Sequence, residues 1–599
     1  MRTLNDSFAL FDDATWPSRP ARLLSEPVRL IEAYEPDDVE AAFAAVEGGV
    51  AEGLTAGGYC AYELGYIYEP RLAPLRPQTG RPLLRFVLFA KSTILPEEAR
   101  RNFLDRAGPA AMGPPIPSID EDAYRSRIGR IRQWIGDGDV YQVNFTIRMK
   151  AAFEGDALRV YARLRESARA GAASFLRFPD EDIVSLSPER FFAVAGRRID
   201  ARPMKGTCAR APDWREDAER KLALRADPKQ RAENLMIVDL LRNDISRVAK
   251  IGTVQVDDLF TVETYPRFHT MTSGISAELR EDIRLRDVMG ALFPCGSVTG
   301  APKIRAMEII RDLESEPRGV YCGAIGYVER RRAAFNVAIR TLVVRDDTAE
   351  MGVGGGIVWD SNADDEYAEC LLKAQFLAGD RPDFQLLETM RWTPQDGFFL
   401  FRRHLARLAR SAHYFGFPCN PNEVRDRLIA AVGGLTGPQR VRLLLEPNDT
   451  INITTVNFQP TEADAVWRYM ISEQRTRSTD PRFHHKTSDR DLYEGEHQRL
   501  NKAHGVDEVV FLNERGEVTE GSRTTIFLER DGRWLTPPLA CGVLDGCLRR
   551  ELIERGDPAI EERVLYVDDL AHGQVWFGNA LRGLIRGRSH LASHRGLAF

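Results

Sequence analysis

Two lysines and a small set of carboxylates are the residues of this chain best suited to chemistry. Lys and Arg total 82, yet only ten are lysines, so arginine fills most cationic roles. Arginine stays protonated in proteins, whereas an amine that must turn neutral to attack carbon or form a Schiff base has to be lysine. Most lysines in any chain are still surface charges, so each needs its context. Lys205 stands in Arg202-Pro203-Met204-Lys205-Gly206-Thr207, and Lys486 in His484-His485-Lys486-Thr487-Ser488. After Phe384 the only other lysine is Lys502, in a polar stretch that reads as a helix surface. Glu366, Glu369 and Lys373 share one face of a predicted helix. That face is either a magnesium site, to which Glu308 could add an oxygen, or a solvated acidic face paired with Lys373. Gly296 to Lys303 brings small residues into a helix start with Pro302 near its first turn, an anion cradle or a plain cap. Gly352-Val353-Gly354-Gly355-Gly356 serves either close approach to a ligand or a turn. Farther on, Arg407 beside an apolar helix face suits a phosphate or is a surface charge. Glu520, at a turn before an apolar strand, could hold a pyridinium proton.

The elements that must position these groups are legible in outline. Residues 1–112 mix short apolar runs with Gly-Gly turns, predicting strands with an occasional helix. Gly113-Pro114-Pro115-Ile116-Pro117-Ser118 reads as a linker. Over 118–378 helical stretches such as Asp122–Ile135 alternate with strand-like ones such as Asp182–Leu186 and Ala333–Val344, an α+β pattern. A second break at Ala378–Asp383 precedes 384–599, where a helix at about His404–Phe415 and strands at Val441–Leu445 and Val509–Leu512 are expected. The fold class is α+β multidomain.

Composition narrows the partners. A net charge of -6 with interspersed signs leaves no footprint for nucleic acid or an anionic membrane. No run of eighteen apolar residues and no secretory signal are present, which predicts a soluble cytoplasmic chain without membrane contact. Eight scattered cysteines without a Cys-x-x-Cys pair support neither a disulfide framework nor a zinc site.

The motifs from Gly296 to Lys303, Gly323-Ala324-Ile325-Gly326-Tyr327, Asn336 to Thr341 and Gly354 to Val358, with Glu233 to Asp244, resemble in order the chorismate-binding enzymes. The resemblance covers about residues 120–376 and implies chorismate, magnesium and one large α/β sandwich that includes the N-terminal residues. Pro203-Met204-Lys205-Gly206-Thr207 is similar to the form associated with aminodeoxychorismate synthase. The resemblance therefore implies Lys205 as nucleophile and Glu189 as general acid–base, with Glu233 and His269 lining the pocket. It also implies Thr299, Tyr327, Arg340, Gly354, Gly355 and Lys373 as substrate contacts and Glu308, Glu366 and Glu369 as magnesium ligands. The segment around His269 keeps the histidine but not the family's usual apolar neighbours.

In the C-terminal part His404-x-x-Arg407-Leu408, Lys486-x-x-x-Arg490, Glu520-Gly521-Ser522 and Gly542-Val543-Leu544-Asp545-Gly546 resemble the class IV pyridoxal-phosphate enzymes, an α+β domain. This implies pyridoxal 5'-phosphate on Lys486, with Arg407, Glu520 and Gly546 as its other contacts. The match lacks the family's opening hairpin, and Leu548 stands where many members have a phosphate-binding threonine. Together the halves imply synthesis of 4-aminobenzoate from chorismate and ammonia through an aminodeoxychorismate synthase and an aminodeoxychorismate lyase. The alternatives for the second half are an aminotransferase or a cofactor-free docking domain. No cysteine sits in a Gly-x-Cys-x-Gly elbow, so a separate glutamine amidotransferase is the expected nitrogen source.

Overall fold

The computed structural model describes residues 2–15, 19–265, 268–374, 384–447, 450–462 and 464–590. They form two compact units, one of residues 1–209 and 221–381, the other of residues 210–220 and 382–599. The break expected at Ala378–Asp383 lies outside the described residues.

The first unit is built on a network of eighteen strands. Ala21–Ala33 pairs antiparallel with Leu84–Leu95, and Gln142–Gly155 with Thr348–Ile357. Thr55–Cys60 pairs in turn with Ala324–Glu329, which draws the first 112 residues into the same sheet as the rest. Gly113–Ser118 is therefore not a linker. Within it Ile116–Pro117 pairs with Lys150 and Met149, a short margin strand where a proline's missing N–H is tolerated. Two large apolar cores follow, one around Phe43, Phe86 and Leu241, the other around Ile128, Phe145 and Ile310. The strand expected at Ala333–Val344 is two strands, Arg332–Val337 and Thr341–Arg345. Arg340 between them has φ 49°, a left-handed conformation that interrupts a ladder.

One helix that carries chemistry starts where its cap dictates. Pro228–Ser246 begins after Asp227, whose side chain accepts from the Gln230 amide, with proline in the first turn. Lys303–Leu313 and Ala363–Ala374 bear Glu308 and the Glu366–Lys373 face.

In the second unit the strands Leu386–Thr393, Gln439–Leu445 and Ile451–Asn457 form most of a four-stranded antiparallel sheet. The helices Phe401–Phe415 and Pro421–Val432 pack on it around Met390, Leu408, Leu428 and Leu443. An eight-stranded sheet follows, in which Val466–Thr476 lies parallel to both Glu508–Asn513 and Gly583–Ser589. Arg210–Arg220 belongs to this unit although its neighbours in sequence do not. Trp214 Nε1 donates to Asp545 at 3.1 Å, and the Arg550 guanidinium lies 4.8 Å from the indole centre. The division of the chain into consecutive segments thus fails at one place, where eleven residues have moved to the other body.

Candidate functional site

Lys205 lies on the strand Met204–Ala209, whose register with Phe268–Thr272 shifts between Met204 and Thr207. Such a bulge re-aims a side chain, and Gly206 permits it with φ 88°. Asn234 braces the strand, its amide donating to the carbonyl oxygens of Lys205 and Met271, both at 3.4 Å, while accepting from Ser273 Oγ at 2.6 Å. Opposite runs the glycine strand. A Cβ on Gly356 would fall 2.9 Å from Lys205 Nζ and 2.6 Å from Gln142 Nε2, and one on Gly355 would fall 3.0 Å from Glu366 Oε2. These glycines lie within the strand Thr348–Ile357 and make room for side chains, so they do not form a turn.

Burial holds the Lys205 amine below the ordinary lysine range, with the Lys373 charge adding and Glu233 opposing. Burial likewise pushes Glu189 up to about 7, against Ser297, the Met204 amide and Lys205. Its Oε1 has no hydrogen-bond partner. A half-buried amine and a buried carboxyl with opposite shifts are the components of nucleophile and general acid. Lys373 Nζ donates to the Gly354 carbonyl at 2.8 Å and pairs with Glu369 at 2.8 Å. Glu366 accepts from Ser361 at 2.8 Å, and its burial raises its pKa.

Other expected residues sit apart from this centre or are engaged elsewhere. His269 is buried three positions along the neighbouring strand, its Nδ1 3.0 Å from Thr264 Oγ1. The Arg340 guanidinium lies over the Phe268 ring at 4.8 Å. Thr299 turns its hydroxyl to the carbonyls of Cys295 and Gly296 in its own loop, as a cap does. Tyr327 packs on Phe11 and under Arg22, in a core cluster that does not include the glycine strand. Alternation along Ala324–Glu329 accounts for this, since Tyr327 faces away from its neighbour Gly326. Tyr321 is instead the tyrosine set against the glycine strand, beside Gly352. The three expected magnesium carboxylates do not converge among the described residues. Glu308 pairs with Arg71 and Arg305, each at 2.9 Å, and Glu369 with Lys373. In this arrangement they do not fit a divalent cation.

Sequence reasoning missed Gln142. It is fully buried, both polar atoms of its amide lack partners, and it faces Gly356 beside Lys205. A polar residue between Tyr141 and Val143 carries no signal until the strand is paired with the glycines.

The second unit holds a cavity of about 430 Å³, lined among others by Arg407, Lys486, Glu520, Thr525 and Gly546. Lys486 follows the short helix Pro481–His484, and its carbonyl accepts from the Leu387 amide at 2.9 Å. Burial, with Arg490 and Arg407 near, lowers its amine to about 7. Glu520 accepts from Tyr493 Oη at 2.8 Å and from the Leu544 amide at 3.2 Å, and burial raises it to about 7. Arg407 grips Glu388 with Nε and Nη2 at 2.9 and 2.6 Å. Burial opposes the charge of His404, but Glu388 at 2.6 Å outweighs it and lifts the imidazole to about 9, with Nε2 left without a partner. Gly546 caps the helix Cys547–Arg555, and a Cβ there would lie 3.0 Å from Thr525 Oγ1. A near-neutral lysine, a buried acid and an unpartnered donor beside a helix N-terminus fit pyridoxal phosphate. Lys502 is exposed on the helix Asp491–His504.

The family model for the chorismate binding enzymes matches residues 6–379, and that for amino-transferase class IV matches residues 385–590. Aminodeoxychorismate synthase component 1 of Salmonella typhimurium is 44% identical over 247 residues, 41% of this chain and 54% of that protein. Its counterpart from Escherichia coli is 43% identical over 253 residues, 42% of this chain and 56% of that protein. The chain thus spans about half the length of the curated relatives it matches. Anthranilate synthase component I from Streptococcus pneumoniae superposes with a TM-score of 0.52 at 26% identity, over 60% of this chain and 92% of that one. The chain belongs to the chorismate binding enzymes, and in the same polypeptide it continues into a class IV amino-transferase region.

Proposed function

We propose that the first unit aminates chorismate to 4-amino-4-deoxychorismate and that the second eliminates pyruvate from it to give 4-aminobenzoate. One observation carries this reading: each unit sets a half-buried lysine of lowered pKa near a buried carboxyl of raised pKa. In the first, neutral Lys205 attacks ring carbon 2 while the 4-hydroxyl departs with a proton from Glu189. Glu189 then takes a proton from the lysine nitrogen and returns it as ammonia adds at carbon 4 and that nitrogen leaves. Lys373 and Gln142 supply donors for the substrate's polar groups. Glu308 and Glu369 are held by cationic side chains and take no part in these steps.

In the second unit pyridoxal phosphate, when bound, supplies an aldehyde for the substrate amine and an electron sink. Arg407, Thr525 and the helix end at Gly546 would hold its phosphate, and Glu520 its ring nitrogen. Lys486 takes the proton from ring carbon 4 and delivers one to the departing enolpyruvyl group. Aromatisation of the ring drives the step. A separate glutamine amidotransferase would provide ammonia. No helix among the described residues is long and apolar enough to cross a membrane.

The test is a product analysis with purified chain, chorismate and ammonium. The expected products are 4-aminobenzoate and pyruvate, formed without any added 2-oxo acid. A requirement for a 2-oxo acid would make the second unit an aminotransferase.

A further inference from the structure

Seven arginines line the Lys486 cavity, and they divide by partner. Arg407, Arg490 and Arg549 face carboxylates, Glu388 at 2.6 Å, Glu494 at 3.7 Å and Glu562 at 2.6 Å. Arg440, Arg442, Arg523 and Arg582 face none among the described residues. Arg523 reaches only the His497 ring, at 2.6 and 2.9 Å, and Arg582 only the Thr461 hydroxyl at 3.1 Å and the rings of Phe458 and Trp467. In a chain where so many guanidiniums are matched to acids, four unmatched ones at one cavity mark a place for outside anions.

Their placement narrows the ligand. Arg440 and Arg442 alternate along the strand Gln439–Leu445 and share its open face, where Arg442 stands across from Thr389, itself a lining residue. Arg523 precedes the strand Thr525–Arg530, and Arg582 lies in the turn between Gln574–Asn579 and Gly583–Ser589. One pair thus comes from the four-stranded sheet and the other from the eight-stranded sheet. All four are exposed, so an anion reaches them without displacing protein. Like charges held near one another are relieved by an anion between them, and guanidiniums bind carboxylates through paired N–H groups.

We propose that these two arginine pairs form a clamp for a substrate with two carboxylates and select it over amines with one. The inference rests on the elimination reading above, since 4-amino-4-deoxychorismate carries one carboxylate on its ring and one on its enolpyruvyl arm. Ordinary monocarboxylate amino acids would leave one pair unused.

The test compares the cofactor-loaded full chain with R440Q/R442Q and R523Q/R582Q. With aminodeoxychorismate each double variant should raise KM by about 10- to 100-fold, as the loss of charge-assisted hydrogen bonds would, while kcat stays within about threefold. The bound cofactor's visible absorbance should be unchanged, which reports an intact fold. Isophthalate should inhibit the wild type at least about tenfold more strongly than benzoate, a preference lost in both variants and restored in R440K/R442K. Wild-type KM in both variants with intact absorbance overturns the clamp. If the wild type releases no pyruvate, the elimination reading fails. The isophthalate preference then decides the clamp: if present and arginine-dependent it stands, if absent it falls.

Discussion

Gly356 faces Lys205 so closely that a single added methyl group would lie 2.9 Å from the lysine nitrogen. The same methyl would meet the Gln142 amide at 2.6 Å, so the ends of both side chains would have to shift. Gly356 has no positive φ, hence alanine would strain the site and not the backbone. Gly356→Ala should lower ammonia-dependent aminodeoxychorismate formation about 100-fold through misplacement of the amine. Thermal unfolding and the second activity should change little, and rates from both units measured on one preparation check this.

Lys205→Arg keeps a cation at the bulge but cannot present a neutral amine. Aminodeoxychorismate formation should fall to background while added aminodeoxychorismate is still converted to 4-aminobenzoate. Wild-type turnover in the arginine variant would remove the nucleophile role.

The pH profile of the first activity follows from two opposite shifts. Glu189, raised to about 7 by burial, is an acid below that value and loses its proton as pH rises through it. Lys205, lowered by burial, gains its neutral form as pH rises. The profile of kcat/KM should therefore be bell-shaped, with its falling limb near 7. Glu189→Gln should remove that limb and lower the rate by about 10²- to 10⁴-fold.

Lys486→Ala should abolish borohydride-reducible attachment of pyridoxal phosphate and stop release of 4-aminobenzoate. Aminodeoxychorismate should then accumulate from the first unit. Lys502→Ala, on an exposed helix face, should change neither property. Mass analysis of the reduced, digested chain locates the attachment directly.

Tyr493 Oη donates to Glu520 at 2.8 Å and so favours its charged form. Tyr493→Phe should raise the Glu520 pKa further and move the acidic limb of pyruvate release to higher pH. An unmoved limb would separate Glu520 from the pH dependence.

What could be read from sequence was the chemistry of single residues and the order of motifs. Lys205 is far in the chain from Glu366 and Lys373, which share one helix, and the glycine strand brings the three together. Lys486 and Glu520 line one cavity, and Lys502 stays at the surface. What could not be read depended on pairing across long separations. Gln142 gains meaning only through the register that sets Asn144 against Gly356. Tyr327 was misassigned because a motif does not say which face of a strand its residues take. Glu308 looked available as a metal ligand until Arg71, 237 residues away, folded against it.

The excursion of Arg210–Arg220 bears on how the gene could be divided. A cut near residue 383 would leave Trp214 in the first fragment and its partners Asp545 and Arg550 in the second. Each fragment would be born with an unfinished surface: one with a loose indole, the other with the seat made for it. Fragment complementation, and not simple excision, is then the way to recover two working halves.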